Sequence, residues 1–325
     1  MSEHDGILQQ VPAGEQHAGM IFIPGATYWM GSNAHYPEEA PAHRVSVDGF
    51  WMDETPVTNA AFAEFVAATG HVTNAEKRPD PADYPGADPA MLEPASLVFA
   101  PPSHPVSLHD FSQWWDYRFH ADWRHPLGPD SSLEGLDDHP VVHIAFADAQ
   151  AYAAWAGKEL ATEAEWELAA RAGLDRAEFP WGDELMPGGV PQANTWQGQF
   201  PHENAMEDGY LRTSPVRAFA ANAFGLHDMI GNVWEWTADF YSARHQSDAG
   251  KPCCAPRNPR GGSQDHSYDP AMPEIRIPRR VLKGGSHLCA PSYCRRYRPA
   301  ARHAQPEDTS TSHVGFRCIV RAPQV

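Results

Sequence analysis

Apolar residues along this chain come mostly in short runs cut by turns, and a helical period is sustained in only three stretches. Met20-Ile21-Phe22-Ile23 reads as a short strand, Pro24-Gly25 turns the chain, and Tyr28-Trp29-Met30-Gly31 follows as a second strand. His43 to Val47 alternates and Phe50-Trp51-Met52 comes after Asp48-Gly49, a pattern that predicts a hairpin. Thr58 is placed to cap a helix in which Phe62, Phe65 and Val66 share one face and Gly70 is the stop. Pro140 to Ile144 reads as a buried strand leading into a helix over Ala147–Ala156, closed by Gly157. Thr162-x-x-Glu165 is a capping box that opens a third helix through Ala172, with Gly173 after it. Beyond it come short strands and turns, the last strands being Val281–Gly284 and Val314–Val320. Residues 71–140 show little periodicity, and a stretch of that length is expected to be functional or packed as an ordered surface.

Composition sharpens this picture. The 31 Pro, 25 Gly and 11 Trp among 325 residues point to a loop-rich fold whose core is filled by aromatic side chains. With no internal repeat and no linker, residues 19–321 are expected to be one domain, preceded by an N-terminal arm (1–18) and carrying a polar surface insert (242–280) that holds Cys253-Cys254. A net charge of −18 without a basic block argues against a nucleic-acid partner. Residues 1–18 lack the basic start and apolar run of a signal peptide, and no window approaches a membrane span. A cytoplasmic location with reduced thiols is therefore the expectation for the five cysteines.

Candidate chemistry centres on Gly284–Cys294, GGSHLCAPSYC, where Cys289 and Cys294 stand five positions apart behind Ser286. Such a pair is a short disulfide, a soft-metal site, a redox pair or two inert thiols, and spacing alone does not decide. Thiolates prefer Cu(I), Zn or iron–sulfur centres. The chain lacks the second well-spaced pair a structural zinc wants and the four cysteines of a cluster. Two oxygen-rich stretches are candidates for Ca²⁺: Asp228 and Glu235 with the carbonyls of Gly231 and Val233, and Asn194 and Asp208 with the carbonyls of Thr195 and Tyr210. Ordinary turns, in which Asp and Asn are favoured for backbone reasons, explain the same residues. His104, His109, His120 and His125 show no metal-ligand spacing, and neither a phosphate loop nor a nucleophile elbow is present.

Taken together, GMIFIPGATYWMGS, DETPVTNAAFAEFV, WRHPLGPDSS, the long run from HPVVHIAF to AARAG, PWGD, ANTWQGQFP with EDGY, GLHDMIGNVWEWT, RVLKGGSHLCAPSYCRRYRPAAR and GFRC resemble the formylglycine-generating enzymes, or sulfatase-modifying factors, over nearly all of residues 19–321. The specific part of the resemblance is Ser286, Cys289 and Cys294. It implies a C-type-lectin-like α/β fold, loop-rich with little regular secondary structure. It implies a copper-dependent oxidase that uses O₂ and a reductant to convert a cysteine in a sulfatase Cys-x-Pro-x-Arg segment to Cα-formylglycine, with the sulfatase bound extended or unfolded. Cu(I) on Cys289 and Cys294 and Ca²⁺ at the two oxygen-rich stretches are the implied cofactors. Ser286 and Tyr293 match positions beside the metal, Trp234 a residue of the oxygen pocket and Arg302 a supporting arginine. Cys318 matches a cysteine that is bridged in secretory members, but Ala153 stands at its partner position and Pro299 at another bridge position. His313 stands where many relatives have asparagine.

Overall fold

The structure is a computed structural model and describes residues 17–245 and 255–321. Cys253-Cys254 and most of the N-terminal arm lie outside the described residues.

The three helices form where the local signals place them. In α1 (Asn59–Thr69) the Thr58 hydroxyl accepts from the Ala61 N–H at 3.3 Å, and Gly70 ends the helix in the left-handed region at φ +69°. In α2 (Phe146–Trp155) the Asp148 carboxylate turns back to accept the Ala145 N–H at 3.0 Å. In α3 (Glu163–Arg171) both halves of the capping box are made: Glu165 N–H to the Thr162 hydroxyl at 3.1 Å, and Thr162 N–H to the Glu165 carboxylate at 2.7 Å.

Two four-stranded sheets carry the core. One is antiparallel throughout, in the order β1 (Met20–Ile23), β4 (Phe50–Asp53), β12 (Cys318–Arg321) and β7 (Glu159–Leu160). The other runs β10 (His303–Pro306), β9 (Arg279–Lys283), β8 (Trp234–Phe240) and β11 (Val314–Gly315), with only the last pair parallel. Two ribbons flank them: β2 (Ala26–Met30) with β3 (His43–Val47), and β5 (Ala95–Phe99) with β6 (Trp115–Phe119).

Three expectations are corrected. The predicted hairpin of His43–Val47 with Phe50–Met52 does not form: β3 pairs with β2, and β4 with β1. The chain changes sheet at both turns, and they cross so closely that a Cβ on Gly25 would lie 2.8 Å from the Gly49 nitrogen. Pro140–Ile144 is buried but is not a strand. Val141 N–H donates to Val57 O and His143 N–H to Thr311 O, while His143 takes φ +61°, which breaks any extended ladder. Val314–Val320 is not one strand but two, β11 and β12 in different sheets, with Arg317 buried between them. The aperiodic residues 71–140 contain the β5–β6 ribbon. The described part of the polar insert is tied down: Arg257 and Asn258 bond Asp48, and Arg260 pairs with Asp239 at 2.9 Å.

Candidate active site

Strand β9 delivers the chain into the site at Lys283, and its anchoring begins there. Lys283 Nζ is fully buried, 3.1 Å from a Glu167 carboxylate oxygen and 3.7 Å from Glu163. Gly284 and Gly285 follow at φ +90° and +72°. A Cβ on Gly285 would lie 2.9 Å from the backbone of Tyr297, so glycine is required for the outgoing and returning chain to touch. Two turns then bring the cysteines round: Cys289 N–H donates to Ser286 O at 2.9 Å and Cys294 N–H to Ala290 O at 2.9 Å.

The Cys289 and Cys294 sulfurs lie 3.2 Å apart, far beyond the roughly 2.05 Å of a disulfide bond, and the structure holds them as free thiols. Cys289 is buried and Cys294 half-buried. Burial, and then the neighbouring sulfur, push the Cys289 thiol up. The hydrogen bond from Cys289 pulls Cys294 down, and Arg296 adds to it. Cys294 is thus the more acidic sulfur of the pair. Arg296 is in turn fixed by the Glu38 carboxylate at 2.6 and 3.2 Å, with its guanidinium 3.9 Å from the centre of the Tyr36 ring.

Around the thiols, Ser286 is fully buried and its hydroxyl accepts the Leu288 N–H at 3.2 Å. Tyr293 lies flat on Phe200, ring centres 4.4 Å apart, and edge-on to Trp114 at 5.7 Å, with its ring half exposed. Trp234 packs in the core cluster that contains Cys289, and its ring is 5.6 Å from His303. Arg302 does not bond the thiols. It pairs with Glu163 at 2.8 Å and donates to the Glu38 carbonyl at 3.2 Å, so it steadies the residue that holds Arg296. The His313 ring packs at a tilt against Trp115, ring centres 4.8 Å apart, and its backbone carbonyl accepts the Trp234 N–H at 2.9 Å. Burial, and then the like charges of His287, His303 and His143, hold His313 well below the usual histidine range. The imidazole is neutral at pH 7.

The two oxygen-rich stretches lie close together but differ as cation sites. At the first, Asn194 is buried, its Nδ2 donates to Arg212 O at 2.8 Å, and its Oδ1 has no partner. The Asp208 carboxylate accepts Thr195 N–H at 3.0 Å and Tyr210 N–H at 2.9 Å. The amide of Gln197 is inserted between the Thr195 carbonyl and Asp208, so a positively polarised N–H group already bridges two of the expected ligands. An orphaned buried oxygen and a bridging donor both fit a cation there. At the second, Asp228 accepts Arg217 N–H at 3.0 Å, but both Glu235 oxygens are taken by Arg317 at 2.8 to 3.0 Å and one also by the Trp166 indole at 2.7 Å. Glu235 is therefore committed to an ion pair, and Gly231 and Val233 stand beside a carboxylate that is not free. Among the described residues no group of three or more His, Cys, Asp or Glu side chains is arranged to hold a metal, so a side-chain-built zinc or iron centre is not supported.

A model of the sulfatase-modifying factor enzyme 1-like domain matches residues 7–322. The chain belongs to this family. It is 52% identical to a formylglycine-generating enzyme of Mycobacterium tuberculosis, over 92% of this chain and 97% of the relative. Identity to the Streptomyces coelicolor enzyme of that name is 43%, over 92% and 88%. It is also 35% identical to an inactive Cα-formylglycine-generating enzyme 2 of Mus musculus, over 94% and 87%, so family membership and activity are separate questions. Among solved structures, PvdO from Pseudomonas aeruginosa superposes with a TM-score of 0.61 at 21% identity, over 93% of this chain and 94% of that one. The fold is the α/β, loop-rich, C-type-lectin-like fold expected of the family.

Sequence reasoning singled out Cys289, Cys294, Ser286, Tyr293, Trp234 and Arg302; the structure places the two thiols in contact and Arg302 on Glu163. It missed Arg296 and Glu38. Arg296 stood in the Arg295-Arg296-Tyr297-Arg298 run without a role; an arginine two residues past a candidate reactive cysteine was the available signal.

Proposed function

We propose that this protein activates sulfatases by converting a cysteine within a Cys-x-Pro-x-Arg segment to Cα-formylglycine. The observation that carries this reading is the Cys289–Cys294 pair, free and 3.2 Å apart, in a chain of this family. We further propose that it is an O₂-using oxidase with Cu(I) as cofactor, acting in the cytoplasm. The donor set fits that ion: two soft sulfurs side by side, the more acidic one beside Arg296. When bound there, Cu(I) supplies a soft centre for the substrate sulfur and one-electron chemistry toward O₂.

The residues of the chain do the rest. Cys289 and Cys294 are the metal ligands. The exposed Tyr293 ring, fixed on Phe200, offers its hydroxyl at the mouth of the site, and Trp234 walls off the interior from water. The neutral His313 leaves the substrate thiol free of a competing charge. The substrate CH₂–SH loses two electrons and two protons to become a thioaldehyde. Water then adds and H₂S leaves, giving the aldehyde. Those two electrons, with two from a reductant, take O₂ to two waters.

At the first oxygen-rich stretch we propose Ca²⁺ held by Asn194, Asp208 and the carbonyls of Thr195 and Tyr210. A second Ca²⁺ at Asp228, Gly231, Val233 and Glu235 requires Arg317 to release Glu235.

The test is mass spectrometry of a Cys-x-Pro-x-Arg peptide incubated aerobically with protein, Cu(I) and reductant. Loss of sulfur with gain of a carbonyl is expected, and Cys289→Ser and Cys294→Ser should each abolish it together with Cu(I) binding. Turnover by the double serine variant would overturn the copper site. An unchanged peptide with copper-loaded wild-type protein would overturn the activity.

A further inference from the structure

We propose that Asn194–Trp196 is a positioning element for Cys289, through which a cation held at Asn194 and Asp208 controls how far the thiol pair is exposed. The inference rests on the cation reading of that stretch given above. It does not depend on the thiols being copper ligands.

The argument turns on a single peptide unit. Its carbonyl belongs to Thr195 and faces the Gln197 amide that bridges to Asp208. Its N–H belongs to Trp196 and donates to the Cys289 carbonyl at 3.0 Å. A peptide unit is planar and rigid, so its two ends cannot be oriented independently. Fixing the carbonyl on a cation fixes the direction of the N–H that holds Cys289.

A second connection runs in parallel. The Asn194 carbonyl accepts the Asn232 N–H at 2.8 Å. The Asn232 carbonyl accepts two bonds from His287, from its backbone N–H at 3.0 Å and from its ring Nδ1 at 2.8 Å. Asn232 is fully buried at φ +54°, and its side-chain amide is locked to both backbone groups of Ser214 at 3.1 and 3.2 Å. Residues 287 and 289 are thus both hung on the stretch that contains Asn194. The Trp196 ring packs with Leu288 and Ala290 in one aromatic cluster, so displacement of residues 194–196 also shifts the wall beside the thiols.

What points to a ligand at the far end of this path is the Asn194 Oδ1. It belongs to a side chain only 1% exposed and has no hydrogen-bond partner. An uncompensated buried amide oxygen beside a carboxylate favours a bound cation.

The experiment reads the thiols directly. Full-length, reduced, copper-free protein is alkylated in Ca²⁺ or in a calcium chelator, and the rate at each cysteine is followed by peptide mass spectrometry. Cys318, fully buried in β12, serves as the internal reference for general loosening. Ca²⁺ binding is measured on the same samples by calorimetry. Removing Ca²⁺ is expected to speed alkylation of Cys289 by about tenfold or more, with Cys318 unchanged. Asp208→Asn should give the fast Cys289 rate even in Ca²⁺. An unchanged Cys289 rate with Ca²⁺ demonstrably bound would overturn the coupling, and so would Cys289 and Cys318 accelerating together. Absence of Ca²⁺ binding would overturn the cation end of the path. Failure of the oxidase reading would appear instead in the peptide assay and leave these rates as they are.

Discussion

Replacing Glu167 with Gln tests how firmly the thiol segment is anchored from below. Glu167 is fully buried on α3. One oxygen accepts the Gly31 N–H at 2.8 Å and two Arg171 bonds at 2.8 and 3.0 Å, and the other takes Lys283 Nζ at 3.1 Å. Burial alone would raise its pKa, but Lys283 and then Arg171 outweigh it and pull the carboxyl down from 4.5 to about 2. A difference of about 2.5 in pKa, at about 1.4 kcal/mol for each, makes the charged form worth about 3 to 4 kcal/mol to the fold. Because the folded-state value lies below the unfolded one, this contribution is complete above about pH 5 and fades as pH falls toward 2. Glu167→Gln should therefore lower stability by about 3 to 4 kcal/mol at pH 7, within the range for breaking a buried pair. Urea unfolding followed by tryptophan fluorescence gives the number, and the gap between wild type and variant should shrink between pH 5 and pH 3. A loss below about 1 kcal/mol, or a gap that ignores pH, would refute the reasoning. Lys283 leads directly into Gly284, so the same variant should also raise the alkylation rate of Cys289.

Three further outcomes follow from the geometry. Arg296→Met removes a cation that lowers Cys294, so the pH midpoint of Cys294 alkylation should move upward and its rate at pH 7 fall severalfold. Gly231→Ala puts a Cβ 2.3 Å from the Asn194 carbonyl at a residue with φ +74°, and denaturant unfolding should show a cost of about 2 kcal/mol or more. Tyr293→Phe keeps the stack on Phe200, so the unfolding midpoint should stay within about 0.5 kcal/mol of wild type while peptide turnover drops for want of the hydroxyl.

Legibility in the sequence followed the range of the determining contacts. The helices were readable because their signals are local: Thr58 with Gly70, and Thr162 with Glu165, act within one or two turns. Strand partners were not. Alternation in His43–Val47 and the Asp48-Gly49 turn suit a hairpin equally well, and the true partners are chosen by the crossing at Gly25 and Gly49. Pro140–Ile144 has a strand's composition but donates to two separate segments, at Val57 and at Thr311, which no local pattern encodes. The β5–β6 ribbon was hidden because an irregular stretch separates its strands. In the site, spacing left the thiols open to several readings and the family resemblance chose among them, whereas the Arg296–Glu38 clamp spans 258 positions and could not be seen. Neither could the Arg317–Glu235 ion pair, which changes what the Glu235 carboxylate is free to do.

The sheet order β1-β4-β12-β7 has a consequence for biosynthesis. Met52 is paired on one side with Ile21 and on the other with Ile319, and Cys318 N–H closes on Asp53 across 265 positions. A ribosome releases β4 long before it makes β12. Until then one edge of β4 has no partner, and its hydrogen-bonding groups are open to neighbouring chains. The hairpins and helices can collapse early, but closure of this sheet waits for the last described strand. Closure of this sheet is therefore set by the release of β12, and the nascent protein passes through a long interval in which pairing with the wrong strand competes with the right one.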